Sequence, residues 1–259
     1  CLLFVTLGLA STSMTEMARA NAVEGIRSGK EDEITAAAQN LAQSAPDDAE
    51  ALYLRGMFAS RSPEERIELL QRSAAVAPTT KTLRAIALTQ SREKKFDEAV
   101  ATLDRALQLD PVNLRTLASK MRIQAEAGHI DQATQTAKAL VNVESHPAFK
   151  TRAIPEVIPV ETYEARIFLA GQEQDPKAKV KLLQEAVKGY LTYADVTYPR
   201  VKQMAAAGSD FSEVSLDDAK AVMSDGKEAS LALKEAAQLV GDADALSTST
   251  RGLEVFSVE

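Results

Sequence analysis

Few residues in this sequence have the types and the spacing that catalysis or metal binding requires. It contains two histidines, His129 and His146, and one cysteine, Cys1, so it has no His-x-x-x-His or Cys-x-x-Cys pair that could ligate a metal. It also has no glycine-rich phosphate-binding loop and no Gly-x-Ser-x-Gly motif. His129 follows a predicted turn, and His146 lies in a predicted loop, where exposed polar residues are common. The sequence therefore predicts no catalytic residues, no metal site and no cofactor, and it is not typical of an enzyme.

The composition indicates that helices position whatever functional residues the chain has. Of the 259 residues, 45% are apolar, but only 5% are aromatic and none is tryptophan. Alanine recurs throughout, and it is the best helix former and lets helices pack closely. The sequence therefore predicts an all-α fold. The formal net charge of −7 disfavours contact with nucleic-acid backbones.

The first ten residues form the only strongly apolar run, Cys1-Leu-Leu-Phe-Val-Thr-Leu-Gly-Leu-Ala10. As a helix this run spans about 15 Å, which is half of the hydrocarbon core of a bilayer. Three interpretations of residues 1–14 stay open: a lipoprotein whose lipid is attached to Cys1, part of a transmembrane helix, or the remnant of a signal peptide. We expect a membrane-anchored chain that faces the bacterial periplasm or cell envelope.

A repeated unit of two helices is the clearest internal pattern. In residues 81–113, Leu83 lies on the apolar face of the first predicted helix, and Ala99 lies where the second helix crosses it. Leu117 and Ala133 follow these two residues at an interval of 34, and a constant period with matching residue types indicates stacked repeats.

Two weaker units precede this pair, over residues 15–48 and 49–78. The second helix of the later unit begins at Ser62-Pro63, a cap followed by a proline in the first turn. The sequence therefore predicts four repeats within residues 15–147.

The period lapses after residue 147. Ile154-Pro155 and Ile158-Pro159 indicate an extended connector, because proline disfavours helix in the residue before it. Helices resume over 161–171 and after Asp175-Pro176, as a degenerate fifth repeat with a longer second helix, and a further helix covers 215–240.

Tyr190, Tyr193 and Tyr198 lie within nine residues. Packing in the core of the long helix is the favoured interpretation, and a contact with a partner is the alternative. Residues 241–259 are small and polar without a period, which predicts a tail or an extended contact segment. The predicted division of the chain is an anchor or signal remnant in 1–14, repeats in 15–147, a helical region in 148–240 and a polar tail in 241–259.

The period of 34, the small residues at the helix crossings and the closing turn Leu109-Asp-Pro-Val-Asn113 resemble the tetratricopeptide repeat. The resemblance implies a right-handed superhelix of antiparallel helix pairs, followed here by a less regular C-terminal helical region. In this family, the first helices of successive repeats line a concave groove that binds peptides or helices of other proteins. The groove positions carried onto this sequence are Arg19, Arg27, Tyr53, Met57, Arg61, Lys81, Arg84, Leu88, Arg92, Arg115 and Arg122.

Arginine predominates among these groove residues. Because arginine pairs bidentately with carboxylates, we expect an acidic peptide or helix as the ligand. The expected partners are thus a protein and, through the N-terminus, a membrane, but no nucleic acid; the sequence is also compatible with a homo-oligomer. The leading hypothesis is a non-catalytic adaptor that assists the assembly or stability of an envelope complex, similar to bacterial repeat lipoproteins. The other hypotheses are a permanent structural subunit of a larger membrane complex and an enzyme with a site in residues 148–240.

Overall fold

The computed structural model describes residues 31–44, 46–152, 160–206 and 216–257. These residues form α-helices and contain no β-strand, which confirms the predicted all-α class for the described part of the chain. The helices are α1 (Glu31–Ser44), α2 (Ala49–Leu54), α3 (Pro63–Val76), α4 (Thr80–Arg92), α5 (Phe96–Leu109), α6 (Leu114–Glu126), α7 (Ile130–Asn142), α8 (Pro147–Arg152), α9 (Val160–Gln172), α10 (Pro176–Ala206), α11 (Leu216–Val240) and α12 (Ala243–Phe256).

The described residues divide into two compact units. Residues up to Leu109 belong to unit 1, which contains α1–α5, and residues from Asp110 onwards belong to unit 2, which contains α6–α12. The division falls within the range 15–147 that the sequence predicts as four repeats. The chain segment that precedes α1, including the predicted anchor in residues 1–14, lies outside the described residues, and so do the prolines of the predicted connector.

Short polar side chains begin the helices of unit 1. Asp48 accepts hydrogen bonds from two backbone N–H groups in the first turn of α2. Ser62 accepts one from Glu65 at the start of α3, where Pro63 takes the first helical position, as predicted. These caps satisfy donors that have no partner within the helix. α2 continues into a π-helical turn over Arg55–Ala59.

The core of unit 1 consists of leucine and alanine side chains from successive helices. Leu41, Leu54, Leu70 and Leu83 are almost fully buried in one cluster. Ala99 on α5, which packs on α4, has no exposed surface. A small residue at this position therefore allows the close helix contact that the repeat pattern predicts.

α6 and α7 form the same kind of hairpin in unit 2. Asn113 begins α6 by accepting a hydrogen bond from the backbone N–H of Thr116. Gly128 ends the turn between the helices with φ of 78°, a left-handed conformation that glycine adopts without strain. Ala133, at the position equivalent to Ala99, is fully buried. The predicted register is confirmed at both alanines.

Each hairpin also contains a buried hydrogen bond that we did not predict from the sequence. The Thr102 hydroxyl donates to Gln90 Oε1 over 2.9 Å, joining α5 to α4. The Thr136 hydroxyl donates to Gln124 Oε1 over 2.7 Å, joining α7 to α6. Because both partners recur after 34 residues, the bond repeats with the hairpin and satisfies polar groups that are buried in each unit.

The helices after residue 147 continue unit 2. α9 packs on α7, contacts α6 and forms a hairpin with α10, as expected for a degenerate fifth repeat. Tyr190, Tyr193 and Tyr198 on α10 are all buried, so the interpretation as core residues is confirmed. The rings of Tyr163 and Tyr190 pack edge to face, with their centres 5.4 Å apart.

The prediction of a tail without periodic structure is wrong for residues 243–256, which form α12. This helix begins at a cap in which Asp242 accepts a hydrogen bond from the backbone N–H of Ala245, and it packs on α11 and α10. Its buried face consists of Ala245, Ser249, Gly252 and Phe256, and three of these four residues are small. A Cβ atom on Gly252 would lie 2.2 Å from the Ser230 hydroxyl. A close helix contact between small residues leaves only a weak apolar pattern in the sequence, which explains the error.

Candidate functional site

The predicted groove residues fall into three groups. Cys1, Arg19 and Arg27 lie outside the described residues. The α2–α4 surface of unit 1 is defined here by Tyr53, Met57, Arg61, Lys81, Arg84, Leu88 and Arg92. The α6–α9 surface of unit 2 is defined by Arg115 and Arg122 on α6 together with Glu161 and Glu164 on α9.

Lys81 joins the two helices of the α2–α4 surface. Its Nζ lies 4.2 Å from the centre of the Tyr53 ring and 3.7 Å from Glu50 Oε1. The Tyr53 side chain is largely buried, and this burial raises the pKa of its phenol to about 12, against an opposing effect of the nearby Arg84. Lys81 and Tyr53 are therefore in contact with each other and with Glu50 within the chain.

The remainder of the α2–α4 surface combines apolar side chains with exposed cations. Leu88 is 38% exposed and Met57 is half-buried. Arg61 and Arg92 are exposed, and neither forms an ion pair with any residue that the structure describes. Arg84, Leu88 and Arg92 follow one another at intervals of four residues on α4, so they form one stripe. This surface can accept both a carboxylate and an apolar side chain.

The α6–α9 surface differs because acids of the chain itself occupy its arginines. The Arg122 guanidinium donates two hydrogen bonds to the carboxylate of Glu164. Arg115 Nε lies 3.9 Å from Glu161 Oε1. The hydrogen bonds to Glu164 raise the pKa of Arg122, against the effect of its burial. The expectation that these two arginines are available to bind an acidic partner is therefore wrong.

Asp225 of α11 interacts electrostatically with both members of this ion pair. Burial and the carboxylates of Glu164 and Glu228 raise the pKa of Asp225, and Arg122 offsets only part of this effect. Burial also raises the pKa of Tyr190, and Asp225 and Glu164 add to the increase. The negative charges near Arg122 thus exceed the positive charge that it supplies.

Glu161 and Glu164 decide the charge of the α6–α9 surface, but the sequence did not predict them as site residues. The two acids lie three residues apart, which places them on one side of a helix. That signal alone does not show which helix they face, because Glu164 and Arg122 are separated by 42 residues.

A tetratricopeptide repeat family model matches residues 91–151, which include the hairpin of α6 and α7. The match covers these residues, and the described part of the chain has an all-α fold of the tetratricopeptide repeat type. Tetratricopeptide repeat proteins are in general non-enzymatic scaffolds for protein interactions. A search of the curated proteins finds no significant match. Within the described ranges, the chain has no helix with the length and hydrophobicity needed to cross a bilayer.

Solved structures resemble this chain in fold. The MamA protein aligns with a TM-score of 0.51 and 15% identity, over 73% of this chain and 97% of MamA. A tetratricopeptide repeat protein from Parabacteroides merdae aligns with a TM-score of 0.49 and 10% identity, over 96% of this chain and 99% of that one. The type IV pilus biogenesis factor PilW aligns with a TM-score of 0.41 and 16% identity, over 76% of each chain. At these identities the likeness concerns the fold, and of these three alignments the one with MamA has a TM-score above 0.5.

Proposed function

We propose that this chain is a tetratricopeptide repeat protein that serves as a non-catalytic scaffold and binds an acidic, partly apolar segment of a partner protein at its α2–α4 surface. The observation that supports this proposal most directly is the exposed stripe of α4, where Leu88 lies one turn from Arg92. Neither Arg92 nor Arg61 has an ionic partner among the described residues. A carboxylate that reached either guanidinium would form a charge-assisted hydrogen bond, and an apolar side chain beside it would cover Leu88.

The composition of the α2–α4 surface fits a segment better than a small molecule. Its accessible apolar side chains, Met57 and Leu88, lie on different helical segments. An amphipathic segment can contact such a surface through side chains at regular spacing. Charge attraction increases the rate of encounter, while the covered apolar area contributes to the lifetime of the complex. Both contributions are needed, because exposed ion pairs are individually weak.

A fluorescence anisotropy titration of the full chain tests this proposal. The probe is a fluorescein-labelled peptide with the sequence Glu-Glu-Leu repeated four times, and we expect saturable binding that weakens as salt is added. The double substitution Arg61→Glu and Arg92→Glu should weaken binding by about tenfold or more, equivalent to about 1.4 kcal/mol.

The matched control is the double substitution Arg105→Glu and Lys138→Glu. Both of these residues are exposed on second helices of hairpins, and their reversal changes the net charge by the same amount. Equal loss of binding in the two double variants would show a general effect of charge and would refute binding at the α2–α4 surface.

We also propose that the chain works as an adaptor at a bacterial membrane or cell envelope. The apolar run in residues 2–10 supports this location. Membrane fractionation of cells that express the chain with and without residues 1–14 tests it. Recovery of both forms in the soluble fraction would contradict membrane attachment.

A further inference from the structure

We propose that Glu161 and Glu164 determine specificity by excluding acidic segments from the α6–α9 surface, so that recognition of acids is confined to the α2–α4 surface. This inference rests on the proposed function, since it concerns which arginines are available to an acidic partner. In this view, two acids of α9 bind the arginines of α6 in place of a partner's carboxylates.

The geometry of the Arg122 pair supports this assignment. A guanidinium presents its donors as a planar fork that matches one carboxylate, and the Glu164 carboxylate accepts from two of the Arg122 nitrogens. Glu161 lies near Arg115 on the same two helices. An external carboxylate would have to displace both internal acids in order to use the two arginines of α6.

Displacement is opposed by the surrounding charge. Once released from Arg122, the Glu164 carboxylate would remain beside Asp225, which already lies close to Glu228. The incoming carboxylate would add another negative charge to this group. Like charges at short range disfavour the wrong partner, and this repulsion is a source of specificity that does not require a new attractive contact.

Other bonds fix α9 in position. Arg166, whose side chain is only 11% exposed, donates hydrogen bonds to Glu144 over 3.1 Å and to Glu185 over 3.2 Å. The buried Thr162 hydroxyl donates to Glu144 over 2.6 Å. Because Thr162 lies between Glu161 and Glu164 in the sequence, the backbone that carries the two acids is held against the end of the fourth repeat. The acids therefore stay near α6 without depending on their own ion pairs.

The test uses the full chain in which Arg61→Glu and Arg92→Glu reverse the two exposed positive charges of the α2–α4 surface. In this background we expect the labelled Glu-Glu-Leu probe to bind about tenfold or more weakly than it binds the wild-type chain. Adding Glu161→Gln and Glu164→Gln should restore binding by at least about tenfold, because glutamine keeps the size of the side chain and releases the two guanidinium groups. A further Arg115→Ala and Arg122→Ala substitution should abolish the restored binding.

The control pair is Glu235→Gln and Glu254→Gln, which removes two exposed acids of the same unit. Binding restored only in the Glu161 and Glu164 variant supports the inference, and equal binding in the two variants overturns it. The single substitution Glu164→Gln serves if the double variant does not fold, and an unchanged affinity there also overturns the inference. Failure of the proposed function is seen separately, as unchanged probe binding when Arg61→Glu and Arg92→Glu are introduced into the wild-type chain.

Discussion

The α2–α4 and α6–α9 surfaces occupy equivalent places in the repeat but differ in chemistry. At the 34-residue interval, Arg122 takes the place of Leu88, and Glu126 takes the place of Arg92. Arg61 and Arg92 of the first surface have no ionic partners among the described residues, whereas acids of α9 pair with the two arginines of the second. The buried Gln–Thr bond, in contrast, is the same in both hairpins. The repeat thus fixes the core of a hairpin and leaves its surface free to vary.

The largest expected effect concerns the equivalent buried alanine in each of the two hairpins. Ala99→Leu and Ala133→Leu should each lower the free energy of unfolding by about 1–3 kcal/mol, because both sites are fully buried and extra methylene groups force neighbouring helices apart. Urea denaturation measures the loss. Ala101→Leu and Ala139→Leu are matched controls at exposed positions of the same helices and should have little effect. Equal stability of the buried and exposed variants would falsify the shared register.

A second prediction compares how much the buried Gln–Thr hydrogen bond contributes to stability in each hairpin. Gln124→Leu leaves the buried Thr136 hydroxyl without its acceptor, which should cost about 1–2 kcal/mol. Gln90→Leu should cost less, because the Thr102 hydroxyl also donates to the backbone oxygen of Glu98. Denaturation of both variants measures the difference. Adding Thr136→Val to Gln124→Leu should recover most of the loss, since no buried hydroxyl then lacks a partner, and a failure to recover would contradict this account.

The sequence could predict the hairpins because their signals are local. Ala99 and Ala133 follow a fixed period, and Ser62-Pro63 marks a helix start within two residues. The charge of the α6–α9 surface could not be predicted in the same way. It depends on α9 packing beside α6 after a connector that breaks the period, so that residues 42 positions apart come into contact. α12 was missed for a different reason, since small residues such as Gly252 bury its face without a strong apolar pattern.

A third prediction compares the equivalent positions Leu88 and Arg122. Arg122→Glu places a negative charge beside Glu164 and Asp225, and it should lower the melting temperature by an amount equivalent to about 1 kcal/mol or less, because the pair is partly exposed. Leu88→Glu should change the melting temperature less, while it weakens probe binding. Combining Arg122→Glu with Glu164→Arg exchanges the two charges and should restore stability. If the exchanged chain melts no higher than the single variant, the ion pair contributes nothing to unit 2.

The smallest expected effect is a pH dependence at Asp225, the acid of α11 that interacts with the Arg122–Glu164 pair. A carboxyl group whose pKa is raised by folding, as that of Asp225 is, holds its proton more tightly in the folded chain, so its ionisation lowers stability. This cost is absent below the ordinary aspartate pKa of about 3.9 and is complete above the raised pKa. Asp225→Asn should therefore raise the melting temperature slightly at pH 7 and leave it unchanged at pH 3, relative to wild type at the same pH. Glu235→Gln, an exposed acid further along α11, is the control. A gain that persists at pH 3, or that the control reproduces, would show that the carboxylates around Arg122 do not repel one another.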